Sequence, residues 1–328
     1  MHNIEGSGPT RRGFLAGAGA VMLGAPALAQ SNWPDRPVRV VLPFPPGGGA
    51  DTVGRILFAR VGEVLRQSFV IENRPGGAGS VGGVAVARAT PDGYTLLYAA
   101  TSQSINQVLN PIQGFDLQRD LRPVFLAAVV PNLLVANNAA VARDVAALIA
   151  LAHATPGGVD IGTSPNGSVQ HMTLELFRQA SRAPVNHVPY RGGGPLLNDV
   201  ISGHIGYGFS NASGSTAHVK SGVLRAICHT GTGRLAELPD VPPMSDTLPG
   251  VEASEWNGVF FPAGTPDAVV QRLSEAMNEA IATPSVVARL APLNVGTRSN
   301  TPPQFGEFIR LELEKWARVV REGNIRVE

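Results

Sequence analysis

Residues Leu42 to Arg55 read Leu-Pro-Phe-Pro-Pro-Gly-Gly-Gly-Ala-Asp-Thr-Val-Gly-Arg, a stretch that decides the fold class because a run of glycines stands between an apolar strand and an amphipathic helix. The strand is predicted at Val38 to Leu42. The helix is predicted from about Asp51, with Ile56, Leu57, Val61 and Leu65 recurring at helical spacing. Phe44, Gly47, Gly48, Gly49, Ala50 and Asp51 therefore surround a helix start. First-turn N–H groups have no internal partner, and the helix dipole adds roughly half a positive charge there. Glycine leaves those amides uncovered, so a carboxylate or phosphate can dock without a lysine. The same residues would also make a plain strand-to-helix turn.

A second loop repeats the design at Val188-Pro-Tyr-Arg-Gly-Gly-Gly-Pro-Leu-Leu-Asn-Asp-Val-Ile-Ser-Gly. Arg191, Gly192, Gly193 and Gly194 lead into Pro195, a favoured first helical residue, and Leu196, Leu197, Val200 and Ile201 form an apolar face before Gly203. Two such helix starts can face each other across a cleft. Neither loop matches the Gly-x-x-x-x-Gly-Lys-Ser/Thr or Gly-x-Gly-x-x-Gly phosphate fingerprints, so a carboxylate suits them better than a nucleotide.

Strands and helices alternate around both loops. After Phe69 to Glu72 comes a helix at about Val81 to Ala89, then a strand at Tyr94 to Tyr98, which predicts an α/β fold with a parallel sheet. A strand at Leu126 to Val135 leads to a second series: a helix at Val145 to Ala154, a strand at Asp160 to Thr163, a helix at Gln170 to Gln179, and the strand entering the second glycine loop. Strands at Ile205 to Phe209 and Leu224 to Cys228 follow, and Ala253 to Phe261 carries the chain back. Helices at about Pro266 to Ala282 and Pro302 to Arg321 are expected to pack on the first domain. Chain crossings near 126–137 and 250–260 make a hinge, giving one domain of residues 30–130 plus 254–328 and another of 131–253.

The N-terminus reads as an export signal. Arg11-Arg12-Gly13-Phe14-Leu15 precedes a short Gly- and Ala-rich apolar run, and Ala27-Leu28-Ala29 supplies a small-x-small cleavage site, so residues 1–29 are expected to be a twin-arginine leader cleaved near Ala29. The run is too short and too poor in large apolar residues to span a bilayer comfortably, which takes about 20 residues. The chain has 26 basic and 25 acidic residues, and a leader carrying Arg11, Arg12 and Glu5 leaves 24 of each. A neutral domain has no field for nucleic acid or an anionic membrane surface. Cys228 is the sole cysteine, which excludes an internal disulfide and Cys-x-x-Cys motifs, and it reads as a small buried hydrophobe. His171 and His187 read as structural histidines; no metal and no cofactor is expected.

Taken together, the chain resembles the periplasmic solute-binding receptors of tripartite tricarboxylate transporters, the Bug receptors. The resemblance covers nearly all of the mature chain. It rests on Trp33-Pro-Asp-Arg-Pro-Val-Arg with the first glycine loop, Glu72-Asn-Arg-Pro-Gly-Gly-Ala-Gly-Ser, Pro91-Asp-Gly-Tyr-Thr-Leu and His187-Val-Pro-Tyr-Arg-Gly-Gly-Gly-Pro. It continues through Ser221-Gly-Val-Leu-Arg-Ala, Arg234 with Leu238-Pro-Asp-Val-Pro-Pro, and Trp256-Asn-Gly-Val-Phe-Phe-Pro-Ala-Gly-Thr-Pro. It implies a two-domain periplasmic-binding-protein clamshell, a Venus flytrap in which each domain is a mostly parallel sheet flanked by helices. It also implies that both glycine loops grip one carboxylate of a small organic acid through backbone amides and bridging waters, and that membrane transporter subunits receive the solute. By the same resemblance Thr101, Ser102, Ser164, Asn166, Gly167 and Ser168 line the solute's distal end.

Individual side chains refine this expectation. Asp51 is expected to cap its helix or hold its loop, since a bare carboxylate repels an anion. Phe44 is expected to wall the pocket, and Arg74 and Arg191 to order their loops. Where the family commonly shows an acidic residue, this chain offers Tyr207, Ser210 and Asn211, which favours a dicarboxylate, a tricarboxylate or an aromatic acid over an amino acid. The chain is expected to be a monomer and not an enzyme: Gly208-Phe-Ser-Asn-Ala lacks the last glycine of the Gly-x-Ser-x-Gly elbow of serine esterases. The same clamshell would also serve a protein that presents its ligand to a membrane sensor kinase.

Overall fold

A computed structural model describes His2 and residues 33–47, 49–110 and 114–326. Contacts divide the chain into Met1–Asn32 and Trp33–Glu328. The fold is that of the second unit; Gly48 and, apart from His2, the expected leader lie outside the described residues.

The first half is built on β1 (Val38–Leu42), α1 (Gly49–Leu65), β2 (Phe69–Asn73), α2 (Ser80–Ala87), β3 (Thr95–Ala100) and α3 (Thr101–Leu109). β1 is buried on both faces, as its run of Val38, Val40, Val41 and Leu42 requires. Val40 and Leu42 pack with Leu57, Phe58 and Val61 of α1, while Val41 packs with Val86 of α2 in a separate cluster. β1 pairs in parallel with β2 and β3. The long β4 (Leu121–Ala136) then leads into α4 (Val145–Ala154), β5 (Val159–Thr163), α5 (Val169–Ser181), β6 (Val185–Pro189), α6 (Gly193–Ser202), β7 (Tyr207–Asn211), α7 (Ala212–Lys220) and β8 (Arg225–His229). β5 pairs in parallel with β6 and β7. The chain returns through β9 (Ser254–Pro262) to α8 (Asp267–Ala282), α9 (Pro284–Leu290) and α10 (Pro302–Gly323).

Two strands join the halves. The sheet order is β2-β1-β3-β9-β4-β7-β5-β6, with β8 also on β4. β9 is antiparallel to β3 and β4, and β4 is antiparallel to β7 and β8, so parallel pairing is confined to the two ends of the order. The register fixes how the ends face. Ala100, the last residue of β3, lies opposite Asn257; Ser254 of β9 lies opposite Pro131; and Asn132, the next residue of β4, lies opposite Asn211, the last residue of β7. The carboxyl edges of β1 and β3 and those of β5, β6 and β7 therefore converge on the middle of β4 from opposite sides. α1, α3, α5, α6 and α7 all begin at those edges.

α10 departs from the expectation that the last helices pack on the first domain alone. Its Phe305, Ile309 and Leu313 join the cluster of Leu97, Trp256 and Phe260, whereas Trp316 and Val319 join that of Phe177, Phe209 and Met172. A helix of 22 residues is about 33 Å long, enough for one apolar stripe to ride over both cores. Thr301 starts it with a reciprocal cap: its hydroxyl accepts from Gln304 N while Gln304 Oε1 accepts from Thr301 N at 2.9 Å.

Candidate functional site

At the first glycine loop Asp51 holds the backbone in place. Gly47 has φ +84°, a conformation favouring glycine, and its N–H donates to Asp51 Oδ2 at 3.0 Å. Arg55, one helical turn on, donates Nε to Oδ2 and Nη2 to Oδ1, both at 2.9 Å, and Asn73 Nδ2 reaches Oδ1 at 3.0 Å. The hydrogen bonds from Arg55 hold the buried Asp51 carboxyl down at about pKa 2 against the cost of burial. Its charge is thus spent on the loop and matched by Arg55, which removes its repulsion toward an anion. Asn73 Nδ2 also donates to Phe44 O at 3.0 Å, and the half-buried Phe44 and Ala50 pack on the α1 core. Arg74 pairs with Glu72.

The second loop is anchored at its base and open at its tip. Tyr190 N donates to Thr163 O at 2.9 Å, and Tyr190 Oη donates to Asp199 Oδ2 of α6 at 2.9 Å. Leu196 and Val200 bury the inner face of α6, while Arg191, Gly194 and Pro195 are exposed. A Cβ built on Gly49, Gly192, Gly193 or Gly194 meets no atom within 4 Å, whereas one on Gly162 or Gly208 would strike Leu196 Cδ1 at 2.3 and 2.9 Å. The glycines under α6 are needed for packing; those at the helix starts are not, and they leave room over bare amides.

The other expected site residues stand at or just before the starts of α3 and α5. Ser168 caps α5, accepting from His171 N at 3.2 Å, and Gly167 N donates to His171 Nδ1 at 3.1 Å. His171 stacks on His187 with ring centroids 4.2 Å apart; burial first, then His187 and Arg178, lowers its pKa to about 4, so it is neutral and accepts at Nδ1. Ser164 is half-buried and its carbonyl accepts from Thr163 Oγ1 at 2.7 Å, while Asn166 is exposed. Thr101 opens α3 with its hydroxyl turned to β9, accepting from Trp256 N at 2.6 Å. The buried Ser102 Oγ has no partner among the described residues.

Three of the residues read as neutral distal contacts are placed by their partners. Tyr207 Oη accepts from Ala142 N at 2.9 Å inside the second core, and Ser210 is buried within β7 opposite Leu133. Asn211 accepts from Ser213 N at 3.0 Å and donates Nδ2 to Glu255 Oε2 at 2.9 Å. An acid therefore does stand at this corner, supplied by β9. The sequence carries a signal for Glu255, the one carboxylate in the run from Ala253 to Phe261, although its pattern alone does not mark it as a site residue. Burial raises its pKa, and Asn211 offsets part of that rise.

A cavity of about 630 Å³ lies elsewhere, bounded by Pro131, Thr230, Ser254, Val295, Phe308 and Lys315 among others; none of the expected ligand residues lines it. Among the described residues no group of three or more His, Cys, Asp or Glu is placed to hold a metal, and no helix is long and apolar enough to cross a membrane. Cys228 is buried, and burial pushes its thiol up.

This arrangement, with loops at the carboxyl ends of strands on both sides of a two-strand crossing, is the fold of periplasmic binding proteins, and solved proteins of that class superpose on it. Residues 53–325 match the tripartite tricarboxylate transporter family receptor, and the chain belongs to that family of periplasmic solute receptors, which are not enzymes. The protein BugT of Bordetella pertussis is 34% identical over 318 residues, covering 96% of both chains. Among solved structures, that of Rpa4515 from R. palustris with adipate is 30% identical with a TM-score of 0.78, covering 90% of this chain and 99% of that one. That of MatC from Rhodopseudomonas palustris with bound malate is 28% identical with a TM-score of 0.74, covering 88% and 100%.

Proposed function

We propose that this receptor captures a small organic acid between its two halves, gripping one carboxylate with first-turn backbone amides of α1, beside Gly49, and of α6, beside Gly192 to Gly194, and delivers it to the membrane subunits of a tripartite transporter. The observation that carries this reading is the pair of glycine-lined helix starts on facing strand edges, with α3, α5 and α7 also beginning there. Their N-terminal dipoles favour an anion, and room over the glycines lets it reach the amides. The adipate and malate bound by the two R. palustris relatives fit the same chemistry. A di- or tricarboxylate or an aromatic acid is the expected solute class. Hydrogen bonds to a charged acceptor contribute roughly 1.5–3 kcal/mol each, so four to six of them outweigh ordering costs and leave the ~8 kcal/mol of micromolar binding.

The residues at the solute's distal end are Thr101, Ser102, Ser164, Asn166, Gly167, Ser168 and Asn211. Residues 30–130 with 254–328 and residues 131–253 form the closing halves, hinged where β4 and β9 cross. The mature chain works as a monomer in the periplasm after export by the twin-arginine route and cleavage near Ala29. A thermal-shift screen of residues 30–328 against mono-, di- and tricarboxylates, amino acids and aromatic acids tests this. A ligand at a hundred times its Kd adds about 2.7 kcal/mol, several degrees in Tm. A rise specific to carboxylates is expected; no rise with any acid, repeated after refolding from denaturant to strip a copurified solute, would overturn the reading.

A further inference from the structure

Glu255 has no part in gripping a carboxylate, yet it stands where the two halves meet. Successive side chains on β9 point to opposite faces: Ser254 lines the 630 Å³ cavity, and Glu255 turns away from it toward Asn211. The bond from Asn211 Nδ2, 2.9 Å long, is the single hydrogen bond its carboxylate makes among the described residues. Asn211 is fixed in that role because its Oδ1 is held by Ser213 N and Oγ. Around the same corner three buried polar atoms also have no partner among the described residues: Tyr98 Oη on β3, Ser102 Oγ on α3 and Asn257 Nδ2 on β9. Asn257 is two residues from Glu255 and opposite Ala100, and Tyr98 feels the Glu255 charge. A carboxylate partly withdrawn from water with one neutral donor is costly unless a further partner arrives. The half-buried Glu255 is reachable by one that comes with the solute.

We infer that Glu255, held by Asn211, is the residue that selects the solute's distal end, accepting a hydrogen bond from a hydroxyl or ammonium group on the bound acid. The receptor then prefers acids that carry such a donor over their unsubstituted parents, and it tolerates the negative charge of Glu255 because the donor answers it. This rests on the carboxylate-receptor reading and narrows it. It also revises the basis for disfavouring amino acids, since the corner is not lined by neutral groups alone.

Calorimetry with matched acids tests it: succinate against malate and aspartate, adipate against 2-aminoadipate, benzoate against 4-hydroxybenzoate. In every series that binds, the donor-bearing member should bind about tenfold tighter or more, the worth of a hydrogen bond to a charged group. The malate and aspartate arms distinguish hydroxyl from ammonium. In Glu255→Gln, which keeps the shape and the corner's packing, the preference should shrink to within about threefold. Equal or tighter binding of the parent acids by the unmodified protein overturns the inference whether or not the variant folds, and leaves the receptor reading standing. A donor preference undiminished in folded Glu255→Gln overturns it as well. Failure of every acid to bind sinks the receptor reading itself.

Discussion

Asp51 shows how one side chain reconciles an acidic residue with an anion site. Its carboxylate takes hydrogen bonds from Gly47, Arg55 and Asn73, so replacing it by alanine frees the loop backbone and takes the acceptor from three part-buried hydrogen bonds. Asp51→Ala should lose about 1–3 kcal/mol of stability in urea titration and weaken carboxylate binding; unchanged stability would deny it the structural role. The loop-holding role was legible from sequence because a first-turn Asp beside glycines has few other uses. Arg55 and Asn73 were not, since partners from a neighbouring turn and strand become visible only when the fold brings them together. His171 carries a second prediction. Its folded pKa of about 4 lies below the 6.5 of an unfolded histidine, so the unfolded chain binds the extra proton, and stability is lost as pH falls from about 6.5 toward 4. At pH 5 this contributes a loss of about 2 kcal/mol, to which His187 and His229, lowered the same way, add and which Glu175 and Glu255, raised by burial, oppose. His171→Asn, which can still accept from Gly167 N, should lose less stability between pH 7 and 5 than the unmodified protein; an equal loss would place the pH dependence elsewhere.

At the scale of elements, the glycine-lined starts of α1 and α6 separate stability from binding. Gly193 is the first residue of α6, and its Cβ direction is open. Gly193→Asp should fold with stability within about 0.5 kcal/mol of the parent or above it, since an acid at a helix start is favoured, yet lose tenfold or more in carboxylate affinity. A variant that binds as tightly as the parent would remove α6 from the site. These helices were readable from the sequence because apolar spacing, proline and glycine agree there. α3 was missed: Thr101-Ser-Gln-Ser is a poor helix start by composition, and it is held by tertiary contacts, with Gln103 Nε2 on Gly79 O at 3.2 Å and Ile105 in the second core. α7 was missed likewise, since Ala212-Ser-Gly-Ser-Thr offers hydroxyls and glycine rather than an apolar stripe. β4 runs five residues further back than its apolar run suggested, because pairing with β9 recruits Leu121 to Phe125 across a bulge.

The whole molecule is organised by the crossing of β4 and β9, from which both sets of strand ends are presented to one another. The sequence revealed the two crossings as interruptions between α/β series, but the antiparallel centre of the sheet and the ride of α10 over both cores depend on contacts between residues far apart in the chain. Glu312 of α10 marks that ride, accepting from Trp256 Nε1 at 3.1 Å on β9 and from Trp316 Nε1 at 2.9 Å. The 630 Å³ cavity is lined by none of the glycine-loop residues, and the proposed place of the solute is at those loops rather than in the cavity. The most direct measurement is a crystal structure of the mature chain with the acid that stabilises it most. One carboxylate is expected within hydrogen-bond distance of first-turn amides of both α1, beside Gly49, and α6, beside Gly192 to Gly194. An acid bound instead among Thr230, Ser254 and Lys315, or held by one loop alone, would contradict the proposed function.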